Sequence, residues 1–507
     1  MASLSSEVLG RHLGIHFALL HEVLVTGSIR RIVTNMQSTK FKDQKNFSFP
    51  WKISLILYSI SFLPSLLSIN ALFWDDWTMF DQQTGKLLTS QYSAGSAPWR
   101  EWIEVSLFQS SLPVFRIVSL VAYFAIGYFL FHILKRSPIL NAPQIVVITL
   151  LFLLIPVNSA RISIVCSKYS VGAFFFFLGW YLYETKSQKI AVFAGYVFFF
   201  LSYSELPFPT FTLLPILYHI CLGRPKNIRE CVREIVHTTP LMALPIVYLA
   251  VRSAFWPPSG NAAVMYGPQF LGAVRATLFI AICSVPILLY IASNKHKSIK
   301  KPNLLVSVGV FSVSISAFPY MLGGHLIDIS DWLIAFIPNS SDWNSRHQLT
   351  LPLGISLIIV GSMKMDKPEK LKWNTYPVLT TLIAVCVLFN VTFAQEYFLD
   401  SRKQTAVVEA IASSPSLNSM QAVLIDDRTI RFNARGRVIR PYEWEIMLQK
   451  ALGNEQIKVS YLQFVDCDVF KPDAILLINS PNGRLESTLQ GKVVIDLQVE
   501  RINPCGN

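Results

Sequence analysis

The stretch Ile53–Trp77, ISLILYSISFLPSLLSINALFWDDW, decides how the chain is read. Residues 53–73 carry no charge, and about 20 apolar residues in a helix suffice to cross ~30 Å of hydrocarbon. The run then stops on Trp74-Asp75-Asp76-Trp77, an acid pair between two tryptophans, the residue type favoured at the membrane–water boundary. Ten more apolar runs follow, at 113–134, 142–160, 164–183, 190–204, 207–222, 238–256, 269–292, 303–321, 349–363 and 376–394. Inside lipid every backbone polar group must bond within its own segment, so these runs predict eleven transmembrane helices.

Composition agrees. Of 507 residues 52% are hydrophobic and only 15% charged, where an ordinary soluble domain has about a quarter charged. Lys and Arg set the orientation. Twenty-three of them fall on one side: seven within 1–52, then Lys135, Arg136, Lys186, Lys189, and the groups Arg224–Arg233, Lys295–Lys301 and Lys364–Lys372. That side is cytoplasmic. An odd number of spans therefore places the N-terminus inside and the C-terminus outside. The net charge of +13 is thus a topology signal. The basic residues are scattered over short loops without a shared platform, which excludes a nucleic-acid partner.

Three domains are expected. Residues 1–51 form a cytoplasmic segment in which Leu13, Phe17, Leu20 and Leu24 share one helical stripe, suited to the inner interface. His12 and His16 stand one turn apart there but lack a third metal ligand. Residues 52–395 form the membrane domain. Its first long outer loop, 74–112, holds an amphipathic stripe of Trp99, Trp102, Ile103 and Leu107; its second, 322–348, holds His325 and Asp342-Trp343-Asn344-Ser345-Arg346-His347. Residues 396–507 carry 13 basic and 14 acidic residues and short apolar runs. Strands at 421–425, 458–464, 473–478 and 492–497, with a helix at 442–452, predict a small outer α/β domain. Cys467 and Cys505 share that tail, and the five other cysteines read as small core residues.

The chemistry-bearing residues collect at the outer face. Asp75 and Asp76, flanked by aromatics where water thins, suit a general base of raised pKa. Arg116, Arg161, Lys168, Arg252, Arg275 and Arg346 bring cations to the same depth, against the positive-inside tendency, and suit an anionic phosphate. Glu205 suits either a sugar hydroxyl or an ion pair with one of these arginines. His325 and His347 are candidate donors to phosphate or sugar. An Asp75–Asp76 ligand pair for a divalent metal is the alternative use of the doublet, and no metal is required.

An aspartate doublet in the first outer loop, an aromatic interfacial helix in that loop, about eleven spans and a terminal outer α/β domain together resemble the GT-C superfamily of integral membrane glycosyltransferases. Within it the chain is most similar to bacterial enzymes that use polyprenyl-phosphate sugars, such as serotype-converting glucosyltransferases. The resemblance implies an inverting hexosyl transfer in the bacterial inner membrane to an outer glycan, lipid or protein acceptor. It implies that Asp75 or Asp76 is the base and that the cation set holds the carrier phosphate. A lipid-linked glycan polymerase or ligase is the nearest alternative, kept open by Arg346 and His347. A transporter or flippase fits less well, because its ionisable groups belong at the bilayer midplane, and here they gather at one end of the spans.

Overall fold

The computed structural model describes residues 48–81, 97–205, 207–222, 236–257, 301–322, 348–363, 375–461, 474–479 and 496–500, with single positions and short pieces between 233 and 285. Residues 1–47 with His12 and His16, residues 323–347 of the second outer loop, and Cys467 and Cys505 lie outside these residues. Among the described residues, four helical segments are long and apolar enough to cross a membrane: Trp51–Ser68, Leu112–Leu134, Ile164–Thr185 and Pro377–Ala412. Six shorter apolar helices accompany them. Predicted runs such as 142–160 and 190–204 therefore appear as helices shorter than a full span. The apolar pattern marks burial, and a helix buried in protein need not be as long as one facing lipid.

Helix α1 (Trp51–Phe62) runs into a 3-10 turn, Leu63–Ser68, and leads to the short α2 (Asp76–Asp81). Then come α3 (Pro98–Ser110), α4 (Leu112–Leu134), α5 (Ala142–Leu154), α6 (Ser167–Thr185) and α7 (Lys189–Ser202). Helix α5 is the centre of the bundle. It starts on a capping box in which Gln144 N donates to Asn141 Oδ1 (2.9 Å) and Asn141 N to Gln144 Oε1 (3.0 Å). Every residue from Pro143 to Leu154 is buried, the pattern of a helix surrounded by others. Helices α6 and α7 meet through Gly179 and Gly195; a Cβ on Gly179 would stand 2.8 Å from the Gly195 carbonyl oxygen. The free cysteines Cys166, Cys221 and Cys386 are buried.

Past α5 the chain turns sharply at Asn158, in the left-handed region (φ 56°), a conformation that Asn tolerates. Two 3-10 turns, Ser159–Ile162 and Ile164–Cys166, follow before α6. Their backbone amides are not committed to a long helix, so they remain free to bind a side chain.

Beyond α7 come α8 (Thr239–Phe255), α9 (Lys301–Leu322), α10 (Leu351–Ser362) and α11 (Thr375–Ala412). Helix α11 continues unbroken through the boundary expected at 395, over 38 residues, about 57 Å at 1.5 Å per residue. Some 30 Å suffices to cross the bilayer, so its last part stands clear of it. Glu396, Asp400, Arg402 and Lys403 look like a polar exit, yet all are compatible with helix, and no Gly or Pro stops the chain there.

A four-stranded sheet follows, made of β1 (Ala422–Asp427), β2 (Lys458–Tyr461), β3 (Ala474–Asn479) and β4 (Asp496–Glu500), with α12 (Pro441–Leu452) between β1 and β2. Its order is β2-β1-β3-β4. Strands β1, β2 and β3 are parallel, and β4 is antiparallel to β3. Central β1 and β3 are almost wholly buried, as strands covered on both faces must be. Strand β4 pairs with β3 in the register that sets Asp496 opposite Asn479.

Candidate active site

The Trp74-Asp75-Asp76-Trp77 motif turns tightly, and the turn gives each residue a different partner. Trp74 lies in the left-handed region (φ 51°), unusual for a bulky side chain and costly by ~1–3 kcal/mol unless its surroundings hold it. They do: its ring packs against Tyr397 of α11 (5.7 Å between centroids), and the Arg437 guanidinium lies 5.1 Å from it.

Asp76 is buried and accepts four hydrogen bonds. Ser163 Oγ (2.5 Å) and Val165 N (2.8 Å) donate to Oδ1, and Ile164 N (2.9 Å) and Phe73 N (3.1 Å) donate to Oδ2. Burial pushes its pKa up, while Arg116, Ser163 and the backbone amides pull the other way. Asp76 is thus a clamp between the first loop and the turn 163–165. Asp75 is different: it is only half-buried, and Tyr442 Oη donates to its Oδ1 at 2.6 Å. Its Oδ2 receives no hydrogen bond from any described residue. The two carboxylates serve separate partners, and among the described residues no group of three His, Cys, Asp or Glu side chains is arranged to hold a metal.

Arg116, expected at the phosphate, is spent on the fold. Its guanidinium donates to the carbonyl oxygens of Ile162 (2.9 Å), Ala71 (2.5 Å) and Ile69. Arg116 and Asp76 therefore tie the same two pieces of chain together. Arg161 is held otherwise, with its guanidinium 3.8 Å from the Phe62 ring centroid and 4.6 Å from that of Tyr123. Aromatic faces position a cation without neutralising it. Among the described residues Arg161 forms no ion pair. It lines a cavity of about 50 Å³ together with Ser61, Ser65, Arg116, Asn390 and Tyr397. That is several times the ~10–15 Å³ that one water-sized group needs. The cavity lies among α1, α4 and α11, all candidate spans, and Tyr397 in its wall also touches Trp74.

A second charged group sits beside α3. Arg100, which composition and spacing did not single out, makes ion pairs with Glu205 (3.0 Å) and Glu104 (3.1 Å). Burial disfavours the Arg100 charge, but Glu205 and Glu104 outweigh it and raise its pKa. Burial also raises the pKa of Glu205, against Arg100 and Lys168. Of the two uses foreseen for Glu205 the structure contains the ion pair, though with Arg100 in place of an arginine of the expected set. Half-buried Arg252 lies near Tyr248 and Arg100. The aromatic stripe of α3 divides: Trp99 packs against Phe200 and Trp256 (5.8 and 5.6 Å), while Trp102 is 72% exposed.

The expected residues therefore fall into two groups, Asp75, Asp76, Arg116 and Arg161 in one and Lys168, Glu205 and Arg252 in the other. Lys168 opens α6 directly after the turn that grips Asp76. Arg275 joins neither, being exposed on a helical piece. His325, Arg346 and His347 lie outside the described residues.

The region above the motif holds what sequence reading missed. Arg437 is fully enclosed, donating to Asp400 Oδ2 (3.0 Å) and to both Glu443 oxygens (3.0 and 2.8 Å). Lys403 donates to Asp427 and Asn433, each at 2.6 Å. Gln404 receives the Trp77 indole N–H (3.2 Å) and donates to Asp400 (2.7 Å). Tyr442 lies 367 residues from Asp75 along the chain, so no local pattern announces it. Searched against protein-family models, curated proteins and solved structures, the chain has no match.

Proposed function

We propose that this chain is an integral membrane glycosyltransferase of the GT-C kind, which moves a hexose from a polyprenyl-phosphate donor to an extracytoplasmic glycan, lipid or protein acceptor with inversion. The observation that carries this reading is the division of labour in the aspartate doublet. Asp76 has both oxygens filled by four donors. Asp75 has one oxygen fixed by Tyr442, and its other oxygen receives no hydrogen bond from the described residues, as suits a general base. The Arg161 cation, which forms no ion pair among the described residues and lines a cavity between candidate spans, suits a phosphate that arrives along the bilayer plane.

In the proposed step Asp75 Oδ2 takes the proton of the acceptor hydroxyl. That oxygen forms the new bond to the anomeric carbon. The bond from this carbon to the phosphate oxygen breaks, and its electron pair leaves with the polyprenyl phosphate, where Arg161 meets the growing charge. Side-chain cations suffice for such a leaving group, so no metal is invoked.

The reading includes eleven spans with the N-terminus cytoplasmic and the C-terminus outside, in a bacterial inner membrane. The Asp75–Tyr442 bond supports it, since it puts the first loop and the C-terminal unit on one face, as an odd number of spans demands. The test supplies membranes containing the chain with radiolabelled polyprenyl-phosphate hexoses. Label is expected on lipid, glycan or protein, and Asp75→Asn is expected to remove it. Transfer that persists at full rate in Asp75→Asn refutes the base assignment.

A further inference from the structure

Nothing in the proposed reaction gives the C-terminal unit a task, yet its contacts with the motif are specific. Tyr442 stands in the first turn of α12, and its hydroxyl donates to Asp75 Oδ1 at 2.6 Å. Next to it Glu443 is gripped by Arg437, which in turn is bound to Asp400 on α11. One residue further, the Trp444 indole N–H donates to Tyr461 on β2 at 3.2 Å. Helix α12 is thus anchored directly after Tyr442, to α11 through Glu443, Arg437 and Asp400 and to the sheet through Trp444. At the positive end of α12 the Glu443 carboxylate also accepts from Arg440 N at 3.0 Å, a favourable arrangement.

We infer that Tyr442 is a positioning residue for Asp75, so that the C-terminal unit completes the active site of the membrane unit from within the same chain. The bond at Oδ1 fixes the rotamer of the carboxylate and leaves Oδ2 directed to the acceptor. Burial and the Asp75 charge push the Tyr442 hydroxyl well above the ordinary tyrosine range, which keeps it a donor at neutral pH. Without that bond an aspartate on a half-open loop samples several rotamers, and only one suits proton abstraction. The inference rests on the transferase reading for its kinetic consequence, but the contact itself is tested without it.

The experiment has two arms on the full-length chain in detergent. In the first, thermal midpoints are measured for Tyr442→Phe, Asp75→Ala and the double variant. The double variant is expected to lose no more than the larger single loss, because both remove one bond. Additive losses overturn the inference. In the second arm, transfer from a polyprenyl-phosphate hexose is followed for Tyr442→Phe, with rates referred to folded protein. The expected result is a kcat lower by roughly ten- to a hundredfold, the scale of a hydrogen bond to a charged group, with KM unchanged. An unchanged kcat overturns the inference, and so does a rise in KM alone. Failure of the transferase reading shows separately, as no transfer by the unsubstituted chain while the stability cycle remains non-additive.

Discussion

Replacing each aspartate of the doublet by asparagine separates the clamp from the base. In Asp76→Asn one acceptor oxygen becomes an NH2 group that meets two donors. If the remaining oxygen faces Phe73 N and Ile164 N, then Ser163 Oγ and Val165 N lose their acceptor. Each buried donor left unsatisfied costs ~1–3 kcal/mol. The Ser163 hydroxyl can rotate to accept from the new NH2, which leaves the Val165 amide and the unfavourable approach of two donor groups, for about 2–4 kcal/mol in all. In Asp75→Asn the amide oxygen still accepts from Tyr442, and the half-open side of the residue stays in water, so the loss is under ~1 kcal/mol. The assay is thermal unfolding of both variants in detergent beside the parent chain, with transfer measured on the folded fraction. Asp76→Asn is expected to unfold several degrees earlier. Asp75→Asn is expected to keep the parent midpoint and lose transfer. A parent-like midpoint for Asp76→Asn, or equal losses in the two variants, refutes the assignment of clamp and base.

Arg161→Ala is expected to weaken donor binding tenfold or more with little change in stability, and Arg275→Ala less than twofold; equilibrium binding of a polyprenyl-phosphate analogue distinguishes them. Arg437→Ala strands Asp400 and Glu443 as buried charges, which costs ~3–5 kcal/mol, and limited proteolysis is expected to release the C-terminal unit at a much lower protease dose. Tyr442 titrates above its ordinary value of 10.0 in the fold, so the stability it contributes is fully present below pH 10 and lost as pH rises through the higher folded value. The difference in midpoint between the parent chain and Tyr442→Phe should therefore stay constant from about pH 7 to 9.5; a narrowing across that range would contradict the hydrogen bond.

Much of the fold was legible because membrane burial and helical period write themselves locally. The run 113–134 became α4, the helix expected at 442–452 became α12, and the described strands overlap the short apolar runs. The motif at 74–77 stood out in the sequence because it ends an uncharged apolar run on an acid pair between two tryptophans. Its division did not. Asp75 and Asp76 are adjacent and chemically identical, and what distinguishes them arrives from residues 163–165 and from Tyr442. Arg116 and Arg161 likewise read alike, both cations near the outer ends of apolar runs. One met three backbone carbonyls and the other two aromatic faces.

By itself the sequence determined that this is a helical, membrane-type chain, because hydropathy acts over a few turns of helix. Only the tertiary structure decided which aspartate grips the turn 163–165 and which meets Tyr442, and that α11 carries a buried charge network up to the motif. Hydrogen bonds and ion pairs between residues hundreds of positions apart exist only once the chain has closed, and no local period records them.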